Sequence, residues 1–256
     1  MVRALVFSLL LACTAQAAEF ERILLPVWLP TPAPGIGGSL WSTELWFRNS
    51  GETSLTMIPP PCSPPIPAHF CSFPAEIDPN RTMHVTQFAA DPEYGPAIFL
   101  NITKGRARDL RASLRVVDRN NAGNSAGTEV PIVRESDLFT TPVNLLNVTA
   151  GGPYCVLLRI YAFDAQLPVP FRVRIFDLKT DALLNELTVS TSLGGRVLPE
   201  PGITLTPDFA AVPIDVPGGN PATLRVQVEP LAAERYWAFV SITNNTDTRL
   251  ITVVTP

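Results

Sequence analysis

Charge is scarce in this 256-residue chain: Asp, Glu, Lys and Arg together make up 16%, against about 25% in an average soluble domain. With 46% hydrophobic residues, disorder driven by self-repelling charge is excluded. Basic residues are the scarcer sign, 19 against 23 acidic, for a net charge of −4. That balance argues against general nucleic-acid binding, which needs a basic surface to meet phosphates. Histidine is nearly absent, with only His69 and His84, and it is the one side chain that titrates near neutral pH without perturbation. The chain has no G-x-S-x-G nucleophile elbow, no H-E-x-x-H and no Gly-rich phosphate loop. Gly35-Ile36-Gly37-Gly38 is a turn signal ahead of a strand at 40–49, without phosphate-binding context. Scattered Asp and Glu residues could supply a glycosidase pair, but nothing in the sequence brings two of them together. No cofactor and no catalytic residue is expected.

What the chain has in excess is proline, 27 residues, roughly twice the usual share. Proline lacks the N–H donor and clashes with the preceding helical turn, so a helical bundle is excluded. The N-terminus carries Arg3, a nine-residue apolar run from Ala4 to Ala12, and a small-x-small ending at Ala15–Ala17. That order reads as a signal peptide over residues 1–17, cleaved after Ala17, and predicts a secreted or periplasmic protein. A competing form exists: Leu10-Leu11-Ala12-Cys13 is similar to a lipobox, which would make Cys13 a lipid anchor. No other run is long and apolar enough for a transmembrane helix.

Alternating apolar residues recur along the chain. Leu110, Ala112, Leu114 and Val116 share one face, as do Phe171, Val173 and Ile175, and Leu224, Val226 and Val228. A period of two marks half-buried strands. Ala182–Leu187 is the only helical candidate. A shift of 126 residues puts Ile98, Leu100 and Ile102 on Leu224, Val226 and Val228, and Leu110 to Asp118 on Tyr236 to Asn244; a shift of 113 puts Leu45 and Phe47 on Leu158 and Ile160. The reading is all-β, with one β-sandwich module over 20–138, including a Pro-rich loop at 59–79, and a second over 139–256. Either length suits a sandwich of seven to nine strands. One continuous sandwich is the alternative, and the connection at 134–142 is expected to be exposed.

Three stretches, SLWSTELWFRNSGETSLTM, VPFRVRIFDLKTDALLNELTVS and YWAFVSITNNTDTRLITVVTP, resemble a group of uncharacterised secreted bacterial proteins. The resemblance implies export and paired immunoglobulin- or fibronectin-like β-sandwich modules in tandem, and carries no catalytic residues. The insert at 59–79 departs from that group's pattern.

Candidate sites follow from the few reactive residues. Cys62, His69, Cys71 and His84, with Met83 alongside, lie within a 23-residue window. Thiolates and imidazoles could hold copper or zinc, but the C-x6-H-x-C-x12-H spacing fits no zinc module. In an oxidising compartment the simpler reading is a Cys62–Cys71 disulfide across the proline-rich loop. Cys155, beside Val156, Leu157 and Leu158, is expected to be a buried thiol. On the strand at 40–49, Leu45 and Phe47 share one face, while Trp46 shares the other with Glu44 and Arg48. An outward tryptophan between charges suits a glycan- or protein-binding surface; cover by other parts of the chain is the alternative. Arg106, Arg108, Arg111, Arg115 and Arg119 form the one basic concentration, read as a solvated face paired with acids. The function expected is a non-enzymatic exported protein acting in cell-surface or extracellular interactions. The alternatives are a carbohydrate-binding accessory protein using Trp46 and a metal-binding protein using the histidine window.

Overall fold

The computed structural model describes residues 20–29, 32–35, 38–58, 76–85, 97–121, 127–164, 168–192, 197–198, 203–216, 218–246, 249–254 and 256. Among them the chain is all-β, with no α-helix. The strands of the first half are β1 (Phe20–Leu25), β2 (Ala33–Pro34), β3 (Leu40–Asn49), β4 (Leu55–Ile58), β5 (Glu76–Ile77), β6 (Thr82–Val85), β7 (Ile98–Thr103), β8 (Leu110–Asp118), β9 (Thr128–Val130) and β10 (Val133–Arg134). Those of the second are β11 (Val143–Ala150), β12 (Tyr154–Ala162), β13 (Pro170–Asp177), β14 (Leu183–Ser190), β15 (Val197–Leu198), β16 (Ile203–Thr204), β17 (Asp208–Pro213), β18 (Ala222–Pro230), β19 (Tyr236–Asn244) and β20 (Arg249–Val254). They form four main antiparallel sheets: sheet I (β10-β1-β7-β4-β5), sheet II (β2-β3-β8-β9, with β6 also on β3), sheet III (β17-β12-β19-β20) and sheet IV (β11-β18-β13-β14). The N-terminal segment 1–19 and most of the loop, 59–75, lie outside the described residues; at the loop's end Glu76–Ile77 pairs with β4.

Alternation builds the cores. Leu45, Phe47, Leu110 and Leu114 point inward from sheet II to meet Ile23, Leu100 and Ile102 of sheet I, all fully buried. Leu158, Ile160 and Val240 of sheet III meet Leu224, Val226, Phe171 and Val173 of sheet IV in a second cluster.

The sequence offsets reappear as pairing. Strands β8 and β19 run 110–118 and 236–244, offset by 126 at both ends. Leu45 faces Leu114 across β3 and β8, and the shifted residues Leu158 and Val240 face each other across β12 and β19. Glu21 faces Ile102, and Val143 faces Val228, in the next equivalent pair. The second half makes its first turn with Gly151, at φ +83, where an added Cβ would lie 2.4 Å from the Asn220 carbonyl oxygen. Only glycine fits there.

Of residues 182–187, a helix candidate by pattern, all but Ala182 belong instead to β14. The Asp177 carboxylate accepts from the Lys179 and Thr180 backbone N–H groups, and Asp181 takes a positive φ of 57°. That turn returns the chain onto β13, where Glu186 meets Arg174 at 2.8 Å. Ladder pairing overrides local helix propensity.

Sheet III is covered on both faces. Its second face contributes Tyr161, Phe163, Trp237 and Phe239 to the first half's core cluster, where all are buried. The Phe163 ring lies 4.8 Å from Phe99, and the Phe99 N–H donates to the Leu205 carbonyl at 2.8 Å. At the rim, Arg22 donates to Glu135 and to Asp164, both at 2.7 Å, and Arg235 bridges the same two carboxylates at 3.0 and 2.5 Å. The Arg22 guanidinium also lies 5.3 and 5.5 Å from the Phe99 and Phe163 ring centroids. The connection at 134–142 is therefore pinned rather than loose. Arg134 donates to the carbonyls of Ala107 and Leu110, Glu135 sits in the ion-pair network, and Phe139 exchanges two backbone hydrogen bonds with Tyr236.

Two outcomes are expected. The full chain unfolds in one transition, and Phe239→Ala, which empties the junction, costs about 3–5 kcal/mol and lowers the melting temperature by roughly ten degrees; calorimetry of both proteins checks this. The second concerns acid. Burial alone would raise the pKa values of Glu135 and Asp164, but hydrogen bonds and charge from Arg22 and Arg235 leave both lowered. Their contribution is present above the unfolded pKa values, near 4.5 and 3.8, and is lost as pH falls through the lower folded values. Burial raises the pKa of neighbouring Glu234, which acts in the opposite sense and offsets part of the loss. Glu135→Gln should therefore flatten the fall in melting temperature between about pH 5 and pH 3.

Candidate functional site

On β3, Leu45 and Phe47 are fully buried while Trp46 is 42% exposed. The sequence reading of an outward Trp46 agrees with its place on the solvent side of sheet II. Its partner on β6 is His84, directly across the ladder. The two rings stack with centroids 3.8 Å apart and planes 7° apart. On the other side, β8 places Ser113 opposite Trp46. Parallel rings on neighbouring strands put the ring normal across the sheet, so the far face of the indole looks over Ser113. That small side chain, bonded through its hydroxyl to Glu129 at 3.3 Å, leaves the face open.

Charge surrounds this stack. Arg119 donates to the Ser42 hydroxyl at 2.5 Å and lies 3.5 Å from the Glu44 carboxylate. Arg48 donates to the Thr82 hydroxyl at 3.2 Å. Across β3 and β8, Arg48 stands opposite Arg111, and Glu44 opposite Arg115. Like charges on one rung repel, and Arg111 and Arg115 make no ion pair with a described residue. The expectation that the basic run is neutralised by acids holds for Arg106, 2.6 Å from Asp109, and for Arg119, but not for these two. The result is an open aromatic face ringed by Arg48, Arg111 and Arg115. It can stack a flat or ring-shaped ligand and donate hydrogen bonds from guanidinium groups.

At the position equivalent to Trp46, the second half carries Arg159, which faces the first half with its guanidinium 5.9 Å over the Phe239 ring. The same surface of the repeat is thus open in one half and closed in the other.

Comparison with family models, with curated proteins and with solved structures finds no match.

Cys62, His69 and Cys71 lie outside the described residues, so neither the disulfide nor the metal set is described. His84, the fourth member of that set, stands against Trp46. Among the described residues no group of three His, Cys, Asp or Glu could hold a metal ion, and no helix is long and apolar enough to cross a membrane. The expected burial of Cys155 is corrected: the thiol is exposed and unpaired. Apolar neighbours on both sides suggested burial, but Cys155 lies with Leu157 and Arg159 along a cavity between the halves.

The Trp46–His84 stack was not legible from sequence, because it depends on β6 pairing with β3 across residues that carry no periodic signal. Iodide quenching tests the arrangement. Trp28 and Trp237 are buried, at 1% and 4% exposure, and Trp41 is partly buried, so Trp46 should be the most accessible emitter, and Trp46→Phe should remove the largest share of the quenching. His84→Ala should increase the quenching by uncovering the second ring face.

Proposed function

We propose that this is an exported, non-enzymatic binding protein whose contact surface is the solvent face of sheet II, centred on Trp46. The observation that carries the reading is the open indole face: a large aromatic stacked on His84, beside arginines that have no carboxylate partner among the described residues. A carbohydrate is the ligand class this geometry fits, since sugar C–H faces stack on indole while hydroxyl or acidic groups accept from Arg48, Arg111 and Arg115. A protein partner at the cell surface would use the same anchor. Export rests on residues 1–17, and the paired-module reading on the matched strand pairings and the two core clusters. In each half, counting only strands common to both, the second pairs with the fifth and the third with the sixth, as in an immunoglobulin module. The first, fourth and seventh lie on the other sheet relative to that arrangement, and an eighth pairs with the seventh, so the likeness lies in the central strands.

Trp46→Ala should leave the melting temperature within a few degrees, as expected for a surface change, and weaken binding on a glycan array by about tenfold or more. A drop of about ten degrees would reassign Trp46 to packing, and undiminished glycan binding would move the site elsewhere. For export, mass spectrometry of the mature chain should find Ala18 at the N-terminus; acylated Cys13 would replace that with the lipid-anchored form, and an intact Met1 would refute both.

A further inference from the structure

We propose that the cavity between the two halves binds small amphipathic anions, medium-chain carboxylates being the class that fits, with Arg159 meeting the head group. The cavity measures about 290 Å³. Its walls are apolar, with Val27, Leu29 and Val130 from the first half and Leu157 and Phe239 from the second; Cys155 and Arg159 also line it. An apolar cavity of about 150 Å³ takes one benzene, so this volume takes roughly a dozen heavy atoms. Decanoate, ten carbons and two oxygens, is that size.

Arg159 supplies the charge argument. Other half-buried arginines have partners on their guanidinium groups: Arg22 has Glu135 and Asp164, Arg174 has Glu186 and Glu229, Arg225 has Asp181, and Arg134 has the carbonyls of Ala107 and Leu110. Arg159 has none among the described residues, and its Nε is buried without a hydrogen-bond partner. An uncompensated cation at a desolvated surface is costly, and a bound carboxylate would relieve that cost. The neighbouring Tyr161 cannot serve as counterion. Its hydroxyl donates to the Pro26 carbonyl, and burial outweighs the opposing charge and hydrogen bond of Arg159 to push its pKa up to about 12, so it stays neutral and supplies no negative charge. The strand position that holds Trp46 on the open face of the first half thus holds an anion-seeking group at this closed one.

The exposed Cys155 thiol, on the cavity lining, provides the readout. The rate of maleimide addition at Cys155 is followed by peptide mass spectrometry in the full chain, with decanoate, with decanol, and with neither. Decanoate should slow the reaction about tenfold relative to decanol at equal concentration, the margin of one charge-assisted hydrogen bond. Arg159→Met should erase that difference, and Leu157→Trp, which fills the cavity and leaves the cation, should abolish protection. Equal protection by decanoate and decanol in the wild-type chain, which needs no variant to fold, would overturn the role of charge. No protection by either would overturn the site, and full decanoate protection in Arg159→Met would overturn the role of Arg159.

Discussion

Sheet III carries apolar side chains on both of its faces, and covering both dictates how the rest of the molecule is arranged. One face, with Leu158, Ile160, Ala238 and Val240, closes a core against sheet IV; the other, with Tyr161, Phe163, Trp237 and Phe239, closes against the first half. Aromatic side chains bury about 150–250 Å² each, so four of them outweigh any single polar contact at the junction. The tyrosine at its centre satisfies its hydroxyl on the Pro26 carbonyl, so that buried donor is paired. A junction of this kind differs from the thin, polar contact between flexibly tethered domains.

Around that apolar centre the polar groups serve orientation more than energy. Arg22 and Arg235 share Glu135 and Asp164, so four charged groups from β1, the 134–142 connection, the end of β12 and the start of β19 meet at one rim. Two cations between two carboxylates define a single arrangement of the strands that carry them. Partial exposure keeps the desolvation cost modest, while the guanidinium plane of Arg22 continues the aromatic packing between Phe99 and Phe163.

Much of this was legible in the sequence and some was not, for physical reasons. Stretches such as 110–116 and 171–175 alternate because one face meets water, and the 126-residue offset survives because equivalent strands keep their pairing register. The segment Tyr154–Phe163 carries apolar residues on both sides, the pattern of a strand buried on both faces; that pattern buries Cys155, which the structure leaves exposed on the lining of the cavity between the halves. Ala182–Leu187 has the residues of a helix and becomes a strand because the Asp177–Asp181 turn delivers it to β13. Trp46 could be oriented from alternation; its equivalent Arg159 faces the first half and not solvent, so the repeat was no guide there. The histidine beside it could not, since a cross-strand neighbour is fixed by tertiary pairing, and His84 by sequence alone is as close to Cys71 as to anything else.

The pinned junction has a mechanical consequence. With no slack segment between the halves, the open face of sheet II and the far face of sheet IV keep one distance and one angle, set by packed rings and by two arginines bridging two acids. A molecule built this way acts as a strut and not as a tether. Tension applied at Trp46 passes through β3 and β8 into the shared core and on to the second half without first being spent on straightening a linker.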